Sequence, residues 1–459
     1  MEIICNQNEL NNAIQLVSKA VASRPTHPIL ANILLTADEG TNKISLTGYD
    51  LSIGIQTSFD GKVKSSGAIT IPARYFTEIV SKLPNEFPIN IDLEDSSEDI
   101  ILKSNKAVIN LKGTFIDDYP SLPIVQQGTT FTTDPSSFLR SIKLTIFSAD
   151  SDNSGRGEIL KGVNFTFKKG YIEAASTNGH KLSVASINYI ENDFVQDSEV
   201  NSDEEPLSIT IPTRCLREIE KLLTLKSNEK LLKIFYDKGQ IIFNFKDQVI
   251  TSGTLEGKYP NYRAFLPNNF YKIFRFDRVE LINVLERISV FRDFTDNRNR
   301  SIVKINLSDE NYATFSSNTK DIGKANESLP LDLVEGKQDK QFINTRPYLK
   351  SERIINNEGE LYVALEDIEE GREEPFHKDL SDPEVIKSTE QKTKWRHLGT
   401  AISSNKDMVY DVSYLLEGLK VISSSKILLK CSVLNKPAIL VSETHPNEFI
   451  YLVMPCGQP

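Results

Sequence analysis

The side chains of this chain best suited to acid–base, nucleophilic or metal chemistry are five histidines (His27, His180, His377, His397, His445) and four cysteines (Cys5, Cys215, Cys431, Cys456). A metal shell gathered from such residues uses close pairs, such as Cys-x-x-Cys or two histidines one helical turn apart. Here every one of them stands alone. The acids Asp117-Asp118 could hold a cation, but they precede Tyr119-Pro120, where acids more commonly shape a turn. The chain has no Gly-x-x-x-x-Gly-Lys-Ser/Thr phosphate loop, no His-Glu-x-x-His, no Gly-x-Ser-x-Gly and no Gly-x-Gly-x-x-Gly. The residues thus give an enzyme little to stand on, and no metal or cofactor is expected. The lone cysteines read as small buried hydrophobes in a reducing compartment.

One polar constellation is more pointed. In Ser176-Thr-Asn-Gly-His-Lys-Leu-Ser-Val-Ala185, Asn178-Gly179 signals a tight hairpin. It presents His180 and Lys181 at the start of an apolar alternating strand. Taken alone it is a hairpin and nothing more, so its meaning depends on the elements around it.

Those elements repeat. Ile71-Pro-Ala-Arg74, Ile211-Pro-Thr-Arg214 and Tyr410-Asp-Val-Ser413 each lead from a β-like approach into a short amphipathic helix. The helices are expected over Pro72–Leu83, Pro212–Lys226 and Asp411–Lys420. A second helix lies upstream in each case, over Glu9–Arg24, Pro135–Ala149 and Asp277–Arg292, with apolar residues three and four apart. Segments rich in Val, Ile, Phe, Tyr and Thr fill the intervals and read as strands: Glu2–Cys5, Asn32–Thr36, Lys43–Gly48, Leu51–Ser58, Pro88–Leu93, Asp99–Ser104 and Lys106–Leu111 in the first copy. A helix–strands–helix–strands unit occurring three times is a domain-scale repeat, and 459 residues suit about three domains. The joints Asp118-Tyr-Pro-Ser-Leu-Pro123 and Lys258-Tyr-Pro-Asn-Tyr-Arg263 repeat as well, each setting an aromatic-Pro pair at a sheet edge. The third copy is stretched by an insertion at about 334–406. It carries the acidic run 366–374 and a candidate strand over Gly359–Leu365, and it reads as an extended, partly ordered loop.

Hydrophobic content of 39% and aromatic content of 8% suit ordinary globular cores. There is no signal-peptide pattern and no apolar run long enough to span a bilayer, which points to a cytoplasmic protein. The net charge of −10 argues at first against nucleic acid. Its distribution reverses the argument: the six expected helices carry a modest excess of Lys and Arg, and the strands and loops carry the acids.

In this context Thr177-Asn-Gly-His-Lys-Leu182 resembles the Thr-Asp-Gly-His-Arg-Leu hallmark of the bacterial DNA polymerase III β subunit, the replicative sliding clamp. Arg24-Pro-Thr-x-Pro-Ile-Leu30, Leu46-Thr-Gly-Tyr-Asp-Leu51, Tyr259-Pro-Asn-Tyr-Arg263 and Tyr451-Leu-Val-Met-Pro455 are similar to further stretches of that family, in order along the chain. The resemblance implies an α+β fold of three clamp domains, 1–126, 127–267 and 268–459. Two chains would close head to tail into a ring, helices inside and sheets outside. The ring would encircle double-stranded DNA without reading sequence, and would do no chemistry. Its partners would be the DNA polymerase III α subunit, the clamp loader and other proteins bearing a clamp-binding motif of the Gln-x-x-Leu-Phe type.

Residue by residue, the resemblance implies that Arg24, Arg74, Arg140, Lys143, Arg214, Arg217 and Lys221 face or border the hole. Leu160, Thr177, Gly179, His180, Lys181, Leu182, Pro260 and Phe265 would form one side of a partner-peptide cleft. Tyr414, Ala438, Val453, Met454, Pro455 and Cys456 would form the other. Ile109 and Leu111 on a first-domain edge strand would meet Val290 and Phe291 at the end of a third-domain helix across the dimer interface. The chain departs from the pattern at Lys181, where Arg is usual, at Ala264, where many members have Arg, and at its end, Cys456-Gly-Gln-Pro459. Two other readings are a clamp-fold paralogue acting as an inhibitory or accessory ring, and an unrelated multidomain enzyme, which would need a pocket of perturbed ionisable groups.

Overall fold

The computed structural model describes residues 1–94, 97–123, 128–151, 155–168, 170–188, 206–225, 231–267, 270–292, 300–307, 311–319, 322–335, 340–341, 353–355, 360–364, 395–400 and 407–456. The chain packs as two compact units, one of Met1–Ile146, Ser151–Ala174 and Ile187–Tyr259, the other of Phe147–Asp150, Ala175–Ser186 and Pro260–Pro459.

The first unit holds helices α1 (Gln7–Val17), α2 (Ala73–Lys82), α3 (Pro135–Thr145) and α4 (Thr213–Leu225). α1 packs on α2, and α3 on α4. A five-stranded antiparallel sheet runs in the order Lys62–Ser65, Glu2–Cys5, Ile89–Leu93, Asp99–Ser104, Ala107–Lys112. An eight-stranded antiparallel sheet unites the first and middle thirds of the chain: Gln248–Gly253 pairs with Ile53–Asp60, Gln248 opposite Thr57 and Ser252 opposite Ile53. One continuous core fills the unit. Leu10, Ile14 and Val17 of α1, Phe76 and Val80 of α2, Phe138 and Ile142 of α3, and Leu216 and Ile219 of α4 are all buried in it. The Phe138 ring lies 5.3 Å from Phe165 and 5.8 Å from Phe243. Burying this apolar stripe, rather than propensity alone, stabilises helices of about three turns.

The second unit holds α5 (Arg278–Ile288) and α6 (Val412–Val421), which pack together. Six strands pair antiparallel in the order Lys181–Asn188, Phe449–Val453, Ala438–Ser442, Lys426–Cys431, Lys272–Asp277, Asp332–Glu335. Four more run Gly323–Pro330, Tyr312–Thr319, Ile302–Asn306, Met408–Asp411. Among the described residues no helix is long and apolar enough to cross a membrane.

The expected elements appear with shifted ends, for identifiable reasons. The helix expected to reach Arg24 stops at Val17 and tightens into a 3-10 turn at Ser18–Ala20. There the Ser18 hydroxyl donates to the Ile14 carbonyl at 2.6 Å and competes with the ladder. Arg24 therefore sits beyond the helix. Likewise α5 ends at Ile288, where the Ser289 hydroxyl donates back to Glu286 O at 2.7 Å, leaving Val290 and Phe291 in the turn after the helix. The strand expected from Leu51 begins at Ile53, because the Asp50 carboxylate accepts from the backbone N–H groups of Ser52 (2.9 Å) and Ile53 (2.8 Å). That Asx turn holds Leu51 at φ 73.

The insertion corrects the loop reading. Its described residues form a four-stranded sheet, Lys340–Gln341, Arg353–Ile355, Glu360–Ala364, Trp395–Thr400. Leu361 is buried in a cluster with Val433, Tyr271 and Leu398, so this sheet is anchored on the second unit. The candidate strand at 359–365 is thus present over Glu360–Ala364. The acidic run 366–374 lies outside the described residues.

Candidate functional site

Two surfaces collect the singled-out residues. The first is the outer face of α1–α4. Apolar positions bury one stripe of each helix, so the remaining positions face solvent. Arg24, Arg74, Arg140, Lys143, Arg214, Arg217 and Lys221 are all exposed. Several are engaged by neighbours: Arg74 with Glu78 at 3.5 Å and Lys221 with Glu218 at 2.8 Å. Arg214 is the most tightly held. Its guanidinium meets the buried Asp50 carboxylate at 2.6 Å and donates to Lys19 O at 3.4 Å, tying the start of α4 to the turn after α1. It has less freedom to follow a ligand than Arg217, which stands exposed one turn later.

The second surface lies in the second unit, around the Asn178-Gly179 turn. Thr177 and Lys181 bracket a three-residue connection. The Asn178 side chain accepts from the N–H groups of His180 (3.0 Å) and Lys181 (3.1 Å), and Gly179 takes φ 82, where a side chain would be strained. The Thr177 hydroxyl closes the turn by donating to Lys181 O at 2.7 Å. From this turn the strand starting at Lys181 pairs with the last strand, Lys181 opposite Val453 and Leu182 opposite Leu452. The Met454 N–H donates to His180 O at 2.8 Å, and the Cys456 N–H to Val409 O at 2.8 Å. The C-terminal segment is thus held against both the turn and the strand that leads into α6.

α6 supplies the facing wall. Asp411 caps it, accepting from Ser413 N at 2.9 Å. The cap directs Tyr414 toward the turn, with its ring 6.1 Å from that of His180 and nearly parallel to it. One helical turn on, Glu417 forms an ion pair with Lys181. Lys181 is only 5% exposed, and its ammonium lies 5.2 Å from the Tyr414 ring centroid and 5.6 Å from that of Phe147. Beneath them Tyr451 is fully buried and donates its hydroxyl to Tyr414 O at 2.7 Å, its ring 5.5 Å from Phe147. Gly418 lets α6 approach that ring closely.

Burial sets the electrostatics. Desolvation lifts the Glu417 carboxyl above the ordinary glutamate value, and the nearby Lys181 charge only partly offsets it. Burial likewise raises the phenols of Tyr414 and Tyr451 and the Cys456 thiol. The arrangement offers an apolar, aromatic-walled surface with one internally compensated ion pair. It offers no activated nucleophile.

Of the fourteen residues expected at the cleft, the structure brings His180, Lys181, Leu182, Tyr414, Val453 and Met454 around the turn and α6. Leu182, Val453 and Ala438 are buried strand residues, so they form the floor rather than a lining that a ligand touches. Met454, Pro455 and Cys456 are half-buried. Cys456 thereby departs from the expectation of four buried cysteines, whereas Cys5, Cys215 and Cys431 are buried and free. Pro260 and Phe265 are exposed around the short 3-10 helix Tyr262–Phe265. Leu160 is half-buried and belongs to the other compact unit. Phe147 and Glu417 escaped the sequence reading, and Tyr451 entered it only as part of the C-terminal motif. Glu417 was within its reach, because three residues after Tyr414 is the same helix face.

Two of the strands at sheet edges bear on the expected dimer interface. Ala107–Lys112 alternates half-buried and exposed positions, with Ile109 and Leu111 packed on their own core and Val108 65% exposed on the other face. Gly323–Pro330 ends the other sheet, and Arg287 of α5 grips its Glu327 with two bonds, 2.9 Å from Nε and 2.5 Å from Nη2.

Comparison with known proteins places these features in a family. Residues 1–123 match the N-terminal domain of the DNA polymerase III beta subunit, and residues 132–261 match its central domain. The beta sliding clamp of Synechococcus elongatus is 35% identical over 335 residues, 73% of this chain and 85% of that protein. That of Halalkalibacterium halodurans is 28% identical over 375 residues, 80% of this chain and 93% of the other. The fold matches the crystal structure of the DNA polymerase sliding clamp from Bacillus subtilis with a TM-score of 0.76 at 21% identity, covering 100% of both chains.

Proposed function

Since this chain belongs to the DNA polymerase III beta subunit family and is a sliding clamp of DNA replication, we propose that it works as a head-to-tail homodimer that encircles duplex DNA and tethers the replicative polymerase. The observation that carries this reading is the division of labour in the fold. Paired helices turn basic positions outward, while the connecting segments outside helices and strands carry the acidic excess. A duplex held by encirclement needs only diffuse attraction to phosphates, with the steep salt dependence that follows from counterion release. Base readout is unnecessary, and Arg24, Arg74, Arg140, Lys143, Arg214, Arg217 and Lys221 share the load. The clamp does no chemistry of its own. Its three domains are 1–126, 127–267 and 268–459, and it acts in the cytoplasm.

Ring closure joins the edge strand Ala107–Lys112 of one chain to Gly323–Pro330 of the next by strand addition. Ile109 and Leu111 then sit beside Val290 and Phe291. The exposure of Val290 supports this reading, since it would be covered. Burying such a cluster contributes several kcal/mol, about 1.5–3 per large apolar side chain. Charged replacements at Val290 and Phe291 are expected to give monomers in sedimentation.

The surface around His180, Tyr414 and Met454 receives partner peptides of the Gln-x-x-Leu-Phe type, carried by the polymerase α subunit, the clamp loader and other clamp-binding proteins. One Leu and one aromatic buried there would gain roughly 3–6 kcal/mol before ordering costs, consistent with micromolar binding. A labelled peptide should bind wild type and bind less well to Met454→Ala or to a chain lacking 455–459. The overall reading is tested by loader-dependent DNA synthesis on a primed circle. Long products only in the presence of this protein support it, and an unchanged product length refutes it.

A further inference from the structure

We infer that Glu417 is a specificity-determining residue of the cleft, favouring partner peptides that bring a cation or an amide N–H to the Tyr414 side and disfavouring those that bring a carboxylate. The inference rests on the peptide-cleft reading above and deepens it. Lys181 contributes no accessible positive charge. Its side chain is 5% exposed, and its ammonium is paired with Glu417 and flanked by the rings of Phe147 and Tyr414. A compact ammonium enclosed in this way has spent its attraction internally, whereas a guanidinium could pair with Glu417 and still turn a free N–H outward.

Glu417 is asymmetric with respect to its partner. Its side chain keeps 40% exposure, and the lysine occupies Oε2. A carboxylate offers about four lone-pair sites, so acceptor capacity remains on the other oxygen of a side chain that is partly exposed. The helical spacing sets that oxygen one turn from Tyr414, whose ring stacks on His180 at the same turn that holds Met454. A peptide seated on these rings would meet a negative acceptor and an enclosed cation. Partly desolvated surroundings strengthen this preference beyond that of a fully exposed pair.

The test uses the full-length protein and fluorescent Gln-x-x-Leu-Phe peptides that carry Lys, Gln or Glu at either end of the motif. For wild type, the Lys peptide should bind about fivefold more tightly than the Glu peptide at one of the two ends, and the gap should narrow as salt is raised. In the double variant Lys181→Gln, Glu417→Gln both charges leave together, so neither is stranded. There the gap should fall to within about twofold while the Gln peptide still binds. A wild-type series with no Lys–Glu gap, or a gap equal in wild type and the double variant, overturns the role of Glu417 and leaves the cleft standing. No binding of any peptide to wild type overturns the cleft reading itself. The wild-type series and its salt dependence need no variant, so the inference stays exposed to refutation even if the double variant folds poorly.

Discussion

Replacing Gly418 by alanine tests whether the α6 wall depends on contact with Tyr451. In an isolated helix the change would stabilise, since alanine exceeds glycine by about 1 kcal/mol in helix propensity. Here a methyl at position 418 would fall 2.8 Å from Tyr451 Cγ, with Cδ1 and Cε1 nearer still. The Tyr451 ring is fully buried, between Phe147 at 5.5 Å and Phe449 at 6.2 Å. Relief must come from moving α6 or the ring. Overpacking of this kind costs about 1–3 kcal/mol, and losing the Tyr451 hydroxyl bond to Tyr414 O adds about 1 kcal/mol. After the propensity gain, Gly418→Ala should destabilise by about 1–3 kcal/mol. It should also weaken peptide binding, because Tyr414 shifts with the helix. Urea unfolding and titration of the labelled peptide measure the two effects. In a Tyr451→Val background, which vacates the space, the added methyl should cost less than it does in wild type. A Gly418→Ala protein at least as stable as wild type, with unchanged peptide affinity, would refute the claim that close approach at this glycine builds the wall.

Three further outcomes follow from the same coordinates. Asp134→Ala removes the acceptor for Ser137 N (2.8 Å) and Ser136 Oγ (2.6 Å) at the start of α3, so urea unfolding should show a loss of about 1 kcal/mol. Burial opposes ionisation of Asp134, but the bonds from Ser136 and Ser137 win and lower its pKa. Its contribution is therefore full above the ordinary aspartate range and is lost as pH falls through the lowered folded value. Under native conditions a maleimide should label Cys456 and spare Cys5, Cys215 and Cys431, which are buried with thiols pushed up to about 12. The Lys-over-Glu peptide preference should be full at neutral pH and fade as pH falls through the raised Glu417 value, before ordinary glutamates titrate. Lys181, Asp411, Tyr414 and Tyr451 act on that carboxyl, and His180 lies against Tyr414, so the series is repeated in a His180→Gln background.

The fold was legible where periodicity and punctuation agree. The Ile-Pro-x-Arg approaches and the three-and-four spacing on α1–α5 mark the same stripes that the core buries. The strand Asp99–Ser104 has the bounds its alternation implies. Element ends were less legible, because Ser18, Ser289 and Asp50 act through local side-chain bonds to the backbone that periodicity does not register. The insertion misled for a related reason. Its acidic run dominates the composition, while the strand at Glu360–Ala364 is stabilised by Val433 and Tyr271, residues distant in sequence.

The meeting of the Asn178-Gly179 turn with the last strand was legible in the sequence, but its electrostatics were not. Asn178-Gly179 announces the turn and Met454-Pro455 the arriving strand, yet neither indicates that Lys181 is enclosed. That follows from convergence of three separate segments: the turn after α3 with Phe147, the second turn of α6 with Glu417, and the strand beginning at Lys181. A basic residue beside a turn reads from sequence as an exposed charge. Its burial here requires a compensating carboxylate, since an uncompensated buried ammonium is strongly destabilising. Helical spacing from Tyr414 then singles out Glu417 as the residue of α6 able to supply it.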